Sequence, residues 1–140
     1  MKIINFNNMT LEQQQMLSTS QRSNIWRHED DAFFVFKDDK MIAMYILMEN
    51  GGHESCMGIS NYIDLDFDEK SYIYWIETFE RKYLREILKR IASSNNISRF
   101  ILESSNSSLP IWKHIGAIEY VGLYDDFREI HSLVLDVHSL

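Results

Sequence analysis

The residues best suited to chemistry gather in the second half of the chain. Arg81, Lys82, Arg85, Lys89 and Arg90 are five of the fourteen Lys and Arg residues in a protein with 21 acidic residues and a formal net charge of −7. Three of them fall in the first turns of a helix-patterned segment. Cationic side chains beside the free N–H groups and positive dipole end of a helix are what a phosphate-bearing ligand needs. The same charges read equally well as the solvated face of an amphipathic helix. Glu77 sits at the end of the β-prone run YIYWI, just ahead of that helix. A carboxylate there can take a proton from an attacking nucleophile, or simply pair with a Lys or Arg. His28, His53, His114, His131 and His138 are scattered, with no helical i, i+4 pair and no cysteine cluster beside them. No metal set follows from them. Cys56 is the sole cysteine, so no internal disulfide can form, and neither His53 nor Glu54 makes it a nucleophile. The segment DLDFDE (64–69) alternates carboxylates with apolar residues out of register with a calcium loop. It reads as a charged loop able to attract a cationic substrate. Gly51-Gly52 precedes no strand-to-helix junction and reads as a turn.

These residues need elements to hold them. Residues 2–6 pattern as a first strand. Thr10 followed by Gln13 has capping-box spacing and opens a helix to about residue 21, with Ile25 and Trp26 packing under it. AFFVF (32–36) and residues 41–48 are apolar runs around the polar turn KDDK, the pattern of an antiparallel hairpin. Residues 50–70 read as a long loop, with a short strand near 59–63. After the strand at 71–76, Leu84, Ile87, Leu88 and Ile91 recur at i, i+3, i+4 and i+7, the clearest helical stripe in the chain. Thr78 is a possible cap for that helix. Residues 97–102 return to strand. Ser107 or Ser108 can start a short helix with Pro110 in its first turn, and Gly116 falls where a left-handed cap belongs. Residues 118–123 and 130–137 read as two final strands, His131 sharing a face with Leu133, Leu135 and Val137. Trp26, Trp75 and Trp112 read as core. Strand–helix–strand units predict a local parallel pairing, and hairpins at both ends predict antiparallel neighbours. A mixed sheet flanked by helices follows.

Composition narrows the function classes. The 140 residues suit one domain, and 45% hydrophobic content is enough to fill its core. No apolar run approaches the roughly 20 residues that span a bilayer, so no membrane association is expected. The acidic balance disfavours a nucleic-acid binder. One free cysteine and no apolar leader point to a cytoplasmic setting.

The order of elements, with the local residues, resembles the GNAT superfamily of N-acetyltransferases. There a strand runs into a loop of pattern (Q/R)-x-x-G-x-(G/A) that opens a helix. The next strand ends near an Asn, and a later helix carries a Tyr four residues before Gly-Phe. Here the strand is YIYWIETF (72–79), the loop and helix ERKYLREILKRI (80–91), the next strand ISRFILES (97–104), and the closing helix LPIWKHIGAIEY (109–120). Arg81 stands for the leading Arg, but no glycine follows it before Gly116. Trp112 stands in the Tyr slot, Ala117 replaces the Phe, and Asn106 is one residue from the position of the Asn.

The resemblance implies a single GNAT-like domain over residues 1–140, an α/β (α+β) fold whose mixed sheet is mostly antiparallel. It implies an acyl-CoA-dependent N-acyltransferase, moving acetyl from acetyl-CoA to a primary amine of a small molecule or protein, with no metal. Glu77 would be the catalytic base. Co-substrate contacts would come from the backbone at Ile76 and Thr78, from Arg81, Lys82, Tyr83, Leu84 and Arg85, and from Asn106 and Trp112. The thioester would lie between the strands at 72–79 and 97–104. The departures keep a second reading open, a catalytically inactive GNAT-like domain that binds acyl-CoA or a protein partner. A homodimer through edge strands is possible, the last strand being the expected edge.

Overall fold

The computed structural model describes residues 1–49, 71–120 and 130–140. The expected short strand near 59–63, Gly51-Gly52, His53, Cys56 and the acidic segment 64–69 lie outside the described residues. The elements are β1 (Lys2–Asn5), α1 (Leu11–Gln15), α2 (Thr19–Ile25), β2 (Ala32–Lys37), β3 (Lys40–Met48), β4 (Tyr72–Thr78), α3 (Leu84–Asn95), β5 (Arg99–Ser104), α4 (Leu109–His114), β6 (Ile118–Tyr120) and β7 (His131–Asp136). Among the described residues seven strands run in the order β1-β2-β3-β4-β5-β7-β6. The pairs β1–β2, β2–β3, β5–β7 and β6–β7 are antiparallel, and β4–β5 is parallel. This is the mixed, mostly antiparallel sheet flanked by helices that the element order predicts.

The chain divides into two units, Met1–Leu47 with Tyr74–Leu84, and Met48–Ile73 with Arg85–Leu140. In the first unit β2 and β3 are covered on both faces: Phe34, Val35 and Phe36, and the whole run from Ile42 to Leu47, are buried. Their hairpin closes on Asp38 and Asp39, both with positive φ (51° and 63°), in the two-residue turn that matches strand twist. The expected helix from residue 11 to 21 is two helices. Thr10 and Gln13 form the expected capping box, and Ser18 with Gln21 forms a second one that interrupts the run. Ile25 is buried as expected, but Trp26 is 63% exposed with the Arg27 guanidinium stacked on its ring, and Trp75 is exposed too.

In the second unit, Ile87, Leu88 and Ile91 of α3 are buried, as their spacing predicts, with Phe100, Ile101 and Leu102 of β5 and Leu133 and Leu135 of β7. α3 ends at Asn95, and Asn96 takes the left-handed conformation (φ 54°) that stops it. Gly116 follows α4 with φ +106°, and a Cβ there would meet the Ser139 side chain at 2.7 Å. Here glycine is required twice over, by conformation and by space. The last strand is not an edge: β7 lies between β5 and β6, and among the described residues the outer strands are β1 and β6.

Candidate functional site

In the first unit the chemistry-bearing residues meet where β4 turns into the basic helix. Phe79 donates its backbone N–H to the Ile42 carbonyl at 2.9 Å, which ties the end of β4 to β3. Lys37 and Lys40 are direct cross-strand partners on either side of the two-residue turn. Like charges in that arrangement repel, and each finds its own partner. The Lys40 ammonium bonds Glu80 Oε1 at 2.9 Å, and the Lys37 ammonium sits 4.4 Å from the centre of the Tyr83 ring. Lys82 lies 3.5 Å from Glu80 Oε2 and 5.0 Å from the same ring. The hydrogen bond from Lys40 chiefly, with the charges of Lys40 and Lys82, holds the Glu80 carboxyl below its ordinary range. The Lys82 ammonium is held above its ordinary range, first by the neighbouring Tyr83 phenol and then by Glu80.

The helix opens with a 3-10 turn over Arg81–Tyr83 that runs on into α3. Its N-cap position is Glu80, not Thr78 as expected, and Glu80 makes no side-chain capping bond. The leading N–H groups of a helix have no intrahelical acceptor, so this start lacks a side-chain cap while carrying the exposed side chains of Arg81 and Lys82. Leu84 is buried, and Tyr83 is half-buried beside Lys37. Ile76, Glu77 and Thr78 are half-buried near the end of β4. This unit therefore brings Lys82 and Tyr83 together with Lys37, Lys40 and Glu80, while Ile76, Glu77, Thr78, Arg81 and Leu84 lie beside them along the chain. Sequence reading missed those three because forty residues separate Lys40 from Glu80. The one signal was the KDDK turn, which places two lysines opposite each other.

The remaining site residues belong to the second unit. Arg85 is exposed on α3. Trp112 is 6% exposed, in the core. Its indole N–H is a donor only and offers no titratable proton near neutral pH. Asn106 is exposed in the turn after β5, and its Oδ1 lies 2.5 Å from His131 Nε2. The other nitrogen of that ring, Nδ1, bonds Glu119 Oε1. Glu119 Oε2 in turn pairs with the Lys113 ammonium at 3.1 Å. Beside this chain, Ser104 Oγ and Ser108 Oγ are 2.6 Å apart, and Ser105 Oγ is 2.9 Å from Ser107 Oγ. The sequence singled out Asn106 and the face of His131, but not their contact.

No family model matches the sequence, and no curated protein matches it. Solved structures do match the fold. The Campylobacter jejuni N-acetyltransferase PseH in complex with acetyl coenzyme A superposes with a TM-score of 0.60 at 11% identity, over 96% of this chain and 97% of that one. The Bacillus subtilis N-acetyltransferase YlbP in complex with coenzyme A gives 0.51 at 14% identity, over 94% and 85%. N-acetylglutamate synthase from Neisseria gonorrhoeae, complexed with coenzyme A and N-acetyl-glutamate, gives 0.51 at 16% identity, over 91% of this chain and 30% of that one. The fold is that of the GNAT N-acetyltransferases.

Proposed function

We propose that this protein is an acyl-CoA-dependent acyltransferase that moves an acyl group, acetyl foremost, onto a primary amine of a small molecule or protein. The observation that carries this reading is the fold likeness to acetyl-CoA-bound PseH over nearly the whole of both chains. The chemistry of the β4–α3 corner fits a phosphate-rich ligand. It offers an uncapped helix start, the cations of Arg81 and Lys82, and Arg85 one turn on. Side chains replace the family's glycines there, but Leu84 is turned into the core and Tyr83 is held beside Lys37, so neither needs to stand over the helix start.

Acyl-CoA supplies an activated thioester carbonyl. Backbone groups at Ile76 and Thr78 offer that carbonyl its polar contacts as its oxygen gains charge. The amine nitrogen attacks the carbonyl carbon, a C–N bond forms, and the C–S bond breaks to release thiolate. Glu77, directly or through water, takes the proton the amine loses. The thiolate is protonated by solvent, since Trp112 has no proton to give. Asn106 is a further candidate contact for the co-substrate.

Release of free thiol from acetyl-CoA, measured across a panel of primary amines, tests the reading. Amine-dependent thiol release is expected, and it should fall steeply in Glu77→Gln. Binding of acetyl-CoA without release of thiol for any amine would contradict transfer and favour the non-catalytic domain.

A further inference from the structure

The β2–β3 turn sets two lysines opposite each other, an arrangement that works against the hairpin. Asp38 and Asp39 at its tip take positive φ, which aspartate tolerates better than most residues. The turn thus accounts for the two aspartates. It makes no demand for Lys37 and Lys40, which are direct cross-strand partners and repel. A local rule broken in this way is expected where function supplies the compensating gain. A third ammonium, that of Lys82, comes to the same place from far along the chain. Lys40 donates to Glu80 Oε1 at 2.9 Å, and Lys82 lies 3.5 Å from Glu80 Oε2. Lys37 and Lys82 lie 4.4 Å and 5.0 Å from the centre of the Tyr83 ring. Three ammonium groups are thus gathered around one carboxylate and one phenol ring. Residues 37–40 and 80–83 carry four cations against three carboxylates, in a chain whose net charge is −7. The Lys40 and Lys82 side chains are 69% and 70% exposed, and that of Glu80 is 31% exposed. Glu80 holds the N-cap position yet makes no side-chain capping bond; its carboxylate goes to the two lysines instead.

We propose that Lys37 and Lys40, with Lys82, form an anion subsite that takes a phosphate group of the ligand, and that Glu80 is the built-in counter-ion which this phosphate displaces. This rests on the reading of the corner as the place of an acyl-CoA phosphate. A terminal phosphate carries about two negative charges and three acceptor oxygens, more than a carboxylate offers. Each lysine brings three rotatable donors on a flexible stem and can follow the stronger anion. Exposed lysine–carboxylate pairs contribute little, so exchanging Glu80 for phosphate forfeits little. The β2–β3 hairpin thereby becomes part of the ligand site, beside the strand and helix that otherwise build the corner. Removing the charge of Glu80 strengthens anion binding, and does so through the lysines it occupies. Were Glu80 only one more distant negative charge, its effect would not depend on those lysines.

Calorimetric titration of the whole protein with inorganic pyrophosphate, and separately with acetyl-CoA, tests this. Lys37→Gln and Lys40→Gln should each lower affinity for both probes about fivefold, and Glu80→Gln should raise it by about the same factor. Lys113→Gln, the loss of one charge on α4 where Lys113 pairs with Glu119, should change affinity by less than about twofold. The gain from Glu80→Gln should nearly vanish when Lys40→Gln and Lys82→Gln are already present. Melting temperatures of the free variants should stay near that of the wild type, since the pairs removed are exposed. Losses in Lys37→Gln and Lys40→Gln no larger than that in Lys113→Gln, or a gain from Glu80→Gln that is equal with and without the lysines, would overturn the inference. Acetyl-CoA binding indifferent to Lys37, Lys40 and Glu80 would overturn the subsite and leave the acyl-CoA reading intact. Pyrophosphate binding with the stated dependence, but no binding of acetyl-CoA, would keep the subsite and overturn that reading. Binding of neither probe would overturn both.

Discussion

The corner around Glu80 and the cluster around His131 are both built from polar side chains near the surface, yet they are held by different physics. At the corner, Lys37, Lys40 and Lys82 share one carboxylate and one aromatic ring. Ammonium groups on flexible stems impose little direction, and exposed ion pairs contribute little to stability. Such a corner can rearrange around an incoming anion at small cost. In the His131 cluster each bond fixes the direction of the next, because Glu119 and the Asn106 oxygen can only accept. The first region gathers charge loosely, while the second is a directional chain of hydrogen bonds.

The largest perturbation should come from beneath the second region. Phe100 is fully buried on β5, and Phe100→Ala should cost about 3–5 kcal/mol in denaturant unfolding, enough to lose the His131 cluster with the strand that supports it. Gly116→Ala combines a positive φ with a Cβ that meets Ser139; a loss of about 1–2 kcal/mol in the same assay is expected. Arg81→Ala acts on the first region only: acetyl-CoA affinity, measured by calorimetry, should fall about tenfold, with the melting temperature of the free protein nearly unchanged. The smallest effect separates the regions by acid. Both Glu80 and Glu119 are held below their ordinary range, so each contributes stability that is present above the unfolded carboxylate value of about 4.3 and is lost as pH falls through the lower folded value. Melting temperature should therefore decline modestly on acidification below about pH 4.3, and Glu80→Gln or Glu119→Gln should each flatten part of that decline.

Much of this architecture is legible in the chain, and the boundary is a matter of range. The α3 stripe, the hairpin turn and the Gly116 cap are written in residues a few positions apart, where periodicity and backbone preference act directly. The break between α1 and α2 was equally local: Ser18 and Gln21 repeat the spacing of Thr10 and Gln13, but a continuing polar stretch hid the second start. Trp26 shows that a large aromatic residue does not by itself mark the core. The site is less legible, because its contacts depend on register. Lys40 reaches Glu80 only through the turn of β4 beside β3, and His131 reaches Glu119 and Asn106 across twelve and twenty-five residues. Nothing in the residue types alone pairs a turn asparagine with a histidine on a distant strand.

The claim on which the rest depends is that the β4–α3 corner holds the phosphates of a CoA thioester. Thermal unfolding with increasing acetyl-CoA measures it directly, since a ligand that binds only the native state at a hundredfold excess over its Kd adds about 2.7 kcal/mol. A saturable rise in melting temperature, strongly reduced in Arg81→Ala, is expected. A melting temperature that stays flat up to millimolar acetyl-CoA, or a rise unchanged by Arg81→Ala, would contradict it.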